Sequence, residues 1–525
     1  MIKIVLSELD FDYELQALVN SFFSGQRSSV EVGQELTASS MKEILSEKKE
    51  KLVIGICFRM EKITIGLYCN EYFVQKEVAI SGNEDWHKHE DKSAHPYRTY
   101  YKNELKRLLF LMLCDLTEDI LTDAGLERRI PAWGTMTGVR PTKIPMNQLL
   151  QGKEKQEVEE QMRKWYCCTN EKLQLGLQIA IKEAALLKDI SFEGGYSLYI
   201  GIPFCPTTCL YCSFPSYPYE RFGYLADAYV KALKKEITAV SKECKNRKLT
   251  SIYMGGGTPT TLTAKQLEEV LTHIRQCFPT DDQYEFTVEA GRPDSITREK
   301  LAVLRKYHVE RISVNPQTMQ QKTLDLIGRR HTVEQTKEAF YLARELGFSN
   351  INMDLIIGLP GEGKEEVAHT LQEVEKLHPD SLTIHSLALK RATRLNLFKD
   401  KYEEMSFENS KEIMEMTQQC AENMGMGPYY LYRQKNIAGN FENVGYAEVD
   451  KAGIYNILIM EEKQSIVAAG AGASTKIVLK DMIPMPGSRK KKMTRLMRIE
   501  NVKAIDAYID RIDEMIERKG EWLWH

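Results

Sequence analysis

The chain has 525 residues, 71 of them basic and 74 acidic, for a net charge of −3, and 43% are hydrophobic. That length exceeds one ordinary hydrophobic core and predicts two or three domains, and the near-balanced charge argues against a nucleic-acid partner. Eleven cysteines, an odd number, do not look like a disulfide framework. They point to a reducing, cytoplasmic compartment. No apolar run reaches the roughly 18 residues of a membrane span, and the N-terminus MIKIVLSELDFDYELQ lacks the layout of a signal peptide.

Residues 1 to about 80 read as a small α+β unit. Apolar runs at Ile2–Leu6, Leu52–Phe58 and Ile63–Tyr68 predict three strands, the last two joined around Arg59–Lys62, with a polar helix over Met41–Lys51. In WHKHEDKSAHP (86–96), His87, His89 and Glu90 are candidate metal ligands, although a solvated loop is the simpler reading. From Tyr100, Leu105, Leu108, Leu109, Met112, Leu116 and Ile120 recur at helical spacing, with Gly125 as a natural end. PAWGTMTGVRPTK (131–143) is punctuated by Gly134, Gly138 and Pro141. Its Arg140 and Lys143 suit a carboxylate or phosphate, or the segment is a turn at a domain edge. Glu-, Lys- and Gln-rich helices fill 150–190. The expected organisation is an N-terminal α+β accessory domain with a helical linker (1–180), a core (181–400) and a mostly helical C-terminal cap (401–525).

The stretch SLYIGIPFCPTTCLYCSFPSY (197–217) carries the chemistry. A strand-like run leads into Cys205, Cys209 and Cys212, spaced C-x3-C-x2-C. Three thiolates this close must curl around one small object. Zinc wants four ligands, usually as two paired knuckles, and no fourth cysteine or histidine sits nearby. A [4Fe–4S] cluster is held by cysteine thiolates, and three of them leave one iron open. Three structural thiols in a core is the remaining alternative, and it gives no reason to bracket a Pro- and Thr-rich loop.

A repeating unit follows. Strands are expected at 197–204, 251–256, 285–290, 311–316, 350–358 and 381–387, with amphipathic helices at 224–243, 264–276, 297–307, 333–346 and 364–377. Such alternation builds a parallel sheet with right-handed crossovers, and six units predict an incomplete α/β barrel whose chemistry sits at the C-terminal strand ends. GGGTPT (255–260) ends the second strand and Glu289 the third, Gln317 lies just past the fourth and Asp354 lies within the fifth. The glycines let backbone approach a ligand and offer it N–H and C=O groups. The carboxylates, costly when buried alone, face a polar ligand or pair with helix lysines. Arg329 or Arg330 suits bidentate recognition of a carboxylate.

The cysteine motif closely resembles the signature of the radical S-adenosylmethionine (SAM) superfamily. The motifs in this order resemble its oxygen-independent coproporphyrinogen III oxidase (coproporphyrinogen dehydrogenase) family. Tyr199 with CPTTCLYC, then GGGTPT, NPQTMQ, GRRHT and MDLIIGLPGE carry the match over residues 195 to about 390. NIAGNFENVGYA (436–447) and AAGAGAST (468–475) continue it weakly. The N-terminal extension, WGTMTGVRPTK and HSLALKR (385–391) resemble a longer branch.

The resemblance implies an incomplete (β/α)6 TIM-like radical SAM barrel, with a [4Fe–4S] cluster on Cys205, Cys209 and Cys212. It places SAM against Tyr199, Tyr211, Gly256, Gly257, Thr258, Glu289, Gln317, Arg329, Asp354 and Ala388, with Tyr199, Gln317 and Arg329 also catalytic. A reduced flavodoxin- or ferredoxin-type donor would supply the electron that splits SAM. The implied reaction decarboxylates two propionates of coproporphyrinogen III to the vinyl groups of protoporphyrinogen IX, with Lys390, Arg391, Arg433 and Arg140 as candidate partners for the anionic tetrapyrrole. A haem-degrading radical SAM methyltransferase and a haem-trafficking protein of the same superfamily are the alternatives. Two departures from the family pattern stand out: Phe214 occupies the place of a further cysteine, and the C-terminal region lacks the usual wording.

Overall fold

A computed structural model describes residues 1–33, 37–47, 50–59, 62–80, 96–214, 216–279, 283–388, 408–434, 441–486 and 493–523. The chain separates into two compact units, Met1–Ile181 and Lys182–His525. Among the described residues, no helix is long and apolar enough to cross a membrane.

The first unit holds five strands, β1 (Ile2–Leu6), β2 (Ser28–Val32), β3 (Leu52–Arg59), β4 (Lys62–Cys69) and β5 (Tyr72–Ala79), in the order β2-β1-β3-β4-β5. β2, β5 and a helix at Asp12–Phe22 are additions to the sequence reading. β2 and β5 are the sheet edges, β2 mostly half-buried and β5 mostly exposed. Edge strands carry charged and polar residues that blunt pairing, and those residues blur the apolar alternation. The helix expected from Tyr100 is two helices, Pro96–Asp115 and Glu118–Asp123. Thr117 separates them by accepting a hydrogen bond from the Ile120 N–H as an N-cap. Leu105, Leu109, Met112 and Leu116 pack with Leu15, Leu18 and Phe22 against the sheet's Ile4, Ile54 and Ile65.

The 131–143 segment is a packed elbow. Gly134 has φ 56°, and a Cβ there would fall 1.8 Å from the Tyr166 carbonyl oxygen. The Thr135 N–H donates to that same oxygen (2.8 Å), and the Thr169 N–H donates to Ala132 O (3.0 Å). Arg140 is half-buried, and Lys143 opens a helix, Lys143–Leu150. His87, His89 and Glu90 lie outside the described residues.

The second unit is built on β6 (Gly195–Ile202), with the short pair β7 (Phe204–Cys205) and β8 (Tyr217–Pro218) closing the cysteine loop on itself. β9 (Lys248–Gly256), β10 (Glu285–Gly291), β11 (Arg311–Val314), β12 (Ile351–Ile357) and β13 (Ser381–Ser386) follow, and β6-β9-β10-β11-β12-β13 are parallel neighbours in sequence order. Helices Ala226–Glu243, Ala264–Cys277, Arg298–Lys306, Val333–Glu345 and Lys364–Leu377 form the crossovers. Thr263, Thr297 and Thr332 cap three of these helices through their hydroxyls. This is the α/β layout that the alternation predicts.

The region after residue 400 is not mostly helical, as expected, but mixed. It contributes β14 (Gly427–Tyr432), β15 (Asn443–Ala447), β16 (Ser465–Ala469), β17 (Ser474–Pro484) and β18 (Met493–Glu500). They join the same sheet, giving the order β14-β15-β13-β12-β11-β10-β9-β6-β16-β17-β18. The reason is backbone satisfaction. The outer edges of β6 and β13 present unpaired N–H and C=O groups, and pairing them is the standard remedy for an open edge. β16 runs parallel to β6, and β15 runs antiparallel to β13.

One buried ion pair fastens this region. Glu236, on the helix after the cysteine loop, accepts from the Gly470 N–H (2.8 Å), Asn501 Nδ2 (2.8 Å), the Tyr508 hydroxyl and Lys519 Nζ. AAGAGAST therefore lies at the β16–β17 turn, where a Cβ on Gly470 would meet Gly201 O at 2.4 Å.

Candidate active site

Parallel strands covered on both faces read as continuous apolar runs, so the residue that breaks burial marks the site. In β6 the half-buried position is Tyr199, in β10 Glu289, in β12 Asp354 and in β13 His385. In β9 it is Tyr253, together with the terminal Gly256. Register explains why they meet. Tyr199 lies opposite Tyr253, and Asp354 opposite Thr383, two residues before His385. Tyr199 stacks on Tyr253 with centroids 6.3 Å apart, and Tyr455 stacks on Tyr253 at 4.3 Å.

These residues surround a cavity of about 360 Å³, within the range of small-ligand sites. Six of the residues singled out from the sequence line it: Tyr211, Cys212, Glu289, Gln317, Asp354 and Ala388. Tyr199 stands behind the wall on Tyr253. Arg329 lines a neighbouring groove with Thr207, Thr208 and Arg330.

Two carboxylates in the wall behave oppositely. Burial raises the Glu289 pKa to about 7, against the hydrogen bonds it receives from the Tyr253 hydroxyl and the Gly256 N–H. Burial also opposes ionisation of Asp354, yet His385 and Asn352 prevail and hold it below the ordinary carboxylate value. Asn352 Nδ2 donates to Asp354 Oδ1 at 2.7 Å, and His385 Nε2 lies 3.9 Å from Oδ2. Gln317 is fixed by backbone. Its φ of 69° is left-handed, its N–H donates to Asp354 O (3.0 Å), and its carbonyl accepts from the Ile356 N–H (2.9 Å). A non-glycine residue in that region costs of order 1–3 kcal/mol and is over-determined by its surroundings.

The glycine turn is organised around the cysteine strand. The Gly257 N–H donates to Ile202 O and the Thr258 N–H to Phe204 O, each at 2.7 Å. With the Gly256 N–H on Glu289, the three successive amides are engaged within the protein. That differs from the expectation that they face a ligand. A Cβ on Gly257 would sit 2.5 Å from Phe204 O, 2.9 Å from Ile202 O and 3.0 Å from Cys205 Sγ. Thr258 aims its hydroxyl at Cys205 Sγ (3.7 Å), and Thr260 ties the turn to Ala290 O (2.6 Å).

Arg329 donates from Nη1 to the Tyr211 hydroxyl (2.9 Å) and from Nη2 to Asn315 O (2.7 Å), joining the cysteine loop to the end of β11. His331 beside it is fully buried, and burial, then Arg329, press its pKa down to about 3, leaving a neutral imidazole. Phe214 lines the cavity while 66% exposed. Of the candidate anion partners, Lys390 and Arg391 lie outside the described residues, Arg433 is buried, and Arg140 belongs to the first unit. The structure instead sets Arg311 in the cavity wall, 2% exposed and hydrogen-bonded to Ser381 Oγ at 3.2 Å.

The sequence reading missed Tyr253, Arg311, His385, Tyr430 and Tyr432, all of which line the cavity. Tyr253, Arg311 and His385 carry a usable signal, a polar group inside an apolar parallel strand. The two C-terminal tyrosines carry none, because β14 reaches the site through β15, which pairs with the distant β13.

The cysteines fit an iron–sulfur group by donor chemistry, since clustered thiolates are the soft ligands such clusters use. Among the described residues, no three His, Cys, Asp or Glu side chains converge on a single ion. Burial raises the Cys205 thiol to about 12, so this pocket does not hold a bare thiolate by itself.

Residues 199–374 match the family model described as the radical SAM superfamily. The α/β fold and the cysteine loop are those of a radical SAM protein, and its cofactors are a [4Fe–4S] cluster and SAM. A Bacillus subtilis protein, oxygen-independent coproporphyrinogen-III oxidase-like protein HemZ, is 42% identical over 395 residues, covering 74% of this chain and 77% of that one. The chain belongs to the oxygen-independent coproporphyrinogen III oxidase family of radical SAM proteins. The heme chaperone HemW of B. subtilis is 36% identical over 38% of this chain and 52% of its own length. The oxygen-independent coproporphyrinogen III oxidase of Salmonella typhimurium is 32% identical over 39% and 45%, so the chain matches about half of each of these two. The solved coproporphyrinogen III oxidase from Escherichia coli aligns with a TM-score of 0.48 at 23% identity, covering 64% of this chain and 73% of that chain.

Proposed function

We propose that the protein decarboxylates propionate side chains of coproporphyrinogen III to vinyl groups without oxygen, giving protoporphyrinogen IX. The observation that carries this reading is the cavity wall. It brings Tyr211 and Cys212 of the cysteine loop together with Glu289, Gln317 and Asp354, on or just after three of the parallel strands, in a chain 42% identical to a coproporphyrinogen oxidase-like protein. Cys205, Cys209 and Cys212 would hold the cluster, and a low-potential flavodoxin or ferredoxin would be its electron donor. When bound, the cluster and SAM supply the radical chemistry.

The chain's own residues bind and orient. Glu289, neutral or ionised near pH 7, accepts a hydrogen bond from the amino group of SAM. Ionised Asp354 takes ribose hydroxyls, and Gln317 and Ala388 shape the nucleoside side. Since the Gly256, Gly257 and Thr258 amides are engaged, contacts to SAM from those residues run through carbonyl oxygens. Arg329 acts through Tyr211, and Tyr199 acts by stacking on Tyr253. Arg311 is the cation that meets a substrate carboxylate at the wall.

A haem-carrying role is the second reading, favoured by the 36% identity to a heme chaperone. Anaerobic incubation with SAM, dithionite and coproporphyrinogen III, followed by mass spectrometry, separates them. Loss of two carbon dioxide molecules and four hydrogens per tetrapyrrole is expected, with SAM consumed as the oxidant. Unchanged coproporphyrinogen with stoichiometric haem binding would establish the second reading instead.

A further inference from the structure

The cysteine loop is supported from outside by a residue that no motif singles out. Arg292 follows β10 in the turn Gly291-Arg292-Pro293 and is 4% exposed. Its five N–H groups divide between two edges. Nε and Nη2 form a two-pronged pair with Asp294, at 3.0 and 2.6 Å. Nη1 faces the other way, into the cysteine loop. It donates to Thr207 Oγ1 at 2.7 Å and directs its second hydrogen at Cys209 Sγ, 3.8 Å away. Thr207 in turn donates to Gly328 O at 2.8 Å, which fixes the loop's outer wall.

We propose that Arg292 is a positioning residue that sets the reduction potential of the cluster through Cys209. Reduction adds one electron to the cluster and moves no proton, so the added negative charge spreads onto the thiolate sulfurs. Hydrogen bonds to those sulfurs are among the levers that set cluster potentials. A guanidinium hydrogen bond, charged and shielded from water, stabilises the reduced form more than the oxidised one. Asp294 sets how much of that charge the sulfur meets. Its carboxylate is held below the ordinary value, against burial, by the Arg292 pair, so it is ionised and offsets part of the cation. Thr258 supports Cys205 with a neutral hydroxyl, whereas the contact to Cys209 comes from a cation. The inference rests on Cys209 being a cluster ligand. Were that reading wrong, Cys209→Ala would keep full iron; were this one wrong, the potential would stay put at unchanged iron content.

The test is an anaerobic redox titration of the reconstituted full chain, following the paramagnetic reduced cluster. Arg292→Gln is expected to disfavour reduction by about tenfold, about 59 mV for a one-electron couple. Arg292→Lys should fall between the variant and the native chain. Asp294→Asn, which leaves the cation less compensated, should shift the potential the opposite way. A purely structural loss has no reason to produce opposite signs. The potential is read on the loaded fraction, so incomplete reconstitution of Arg292→Gln does not hide it. If that variant takes up no iron, the sign for Asp294→Asn decides. Unshifted potentials, or shifts of the same sign in Arg292→Gln and Asp294→Asn, overturn the inference.

Discussion

Replacing Gly257 by alanine tests how the glycine turn and the cysteine strand support each other. The new methyl would sit 2.5 Å from Phe204 O and 2.9 Å from Ile202 O, both rigid backbone atoms, and 3.0 Å from Cys205 Sγ. Reaching an ordinary contact of 3.4 Å from Phe204 O requires about 0.9 Å of movement. That movement strains the two 2.7 Å hydrogen bonds which hold the turn to Ile202 and Phe204. Overpacking costs about 1–3 kcal/mol, and weakening two hydrogen bonds adds about 1 kcal/mol. A local cost of about 2–4 kcal/mol lowers the population of the cluster-competent loop on the order of a hundredfold. Because β6 and β9 remain paired over their length, global folding should change little. The assay is iron per chain and visible absorbance after anaerobic reconstitution, with circular dichroism as the folding control. The expected result is a folded protein that loads cluster poorly. Full iron and normal 5′-deoxyadenosine formation would refute the argument. Full iron with lost SAM cleavage would move the lesion from the loop to SAM binding.

Changing Cys205, Cys209 or Cys212 to alanine should abolish the dithionite-bleachable band and the roughly four irons of a cubane, while Cys244→Ala and Cys420→Ala should leave both intact. Glu289 makes apo stability pH-dependent. Its folded pKa, about 7, lies above its unfolded value near 4.5, so the folded state holds the extra proton and stability falls as pH rises between those values, by about 3 kcal/mol in total. Urea denaturation of Glu289→Gln should show that slope flattened; an unchanged slope would reject the assignment. Lys519→Met leaves Glu236 buried and uncompensated and should destabilise by about 3–5 kcal/mol, with the double variant Glu236→Gln/Lys519→Met recovering much of it in thermal denaturation. A chain beginning at Lys182 should fold and take up the cluster, as iron analysis would show, since that residue opens the second compact unit.

Sequence alone determined the parallel βα succession, because amphipathic helices and continuous apolar strands are local patterns that only one layered arrangement can bury together. It also determined the cysteine loop, whose ligand spacing is written in neighbouring residues, and the placement of Glu289, Gln317 and Asp354 on or just past parallel strands. Tertiary structure decided what those residues meet. That Tyr253 rather than a helix lysine partners Glu289, that the Gly257 and Thr258 amides clamp Ile202 and Phe204, and that Arg292 reaches Cys209 all depend on strand register and on contacts between segments 36 to 83 residues apart. The C-terminal strands were illegible for the same reason. β14–β18 are short or polar by themselves and become strands because β6 and β13 leave backbone edges that must be paired, a condition that exists only after the parallel sheet has formed.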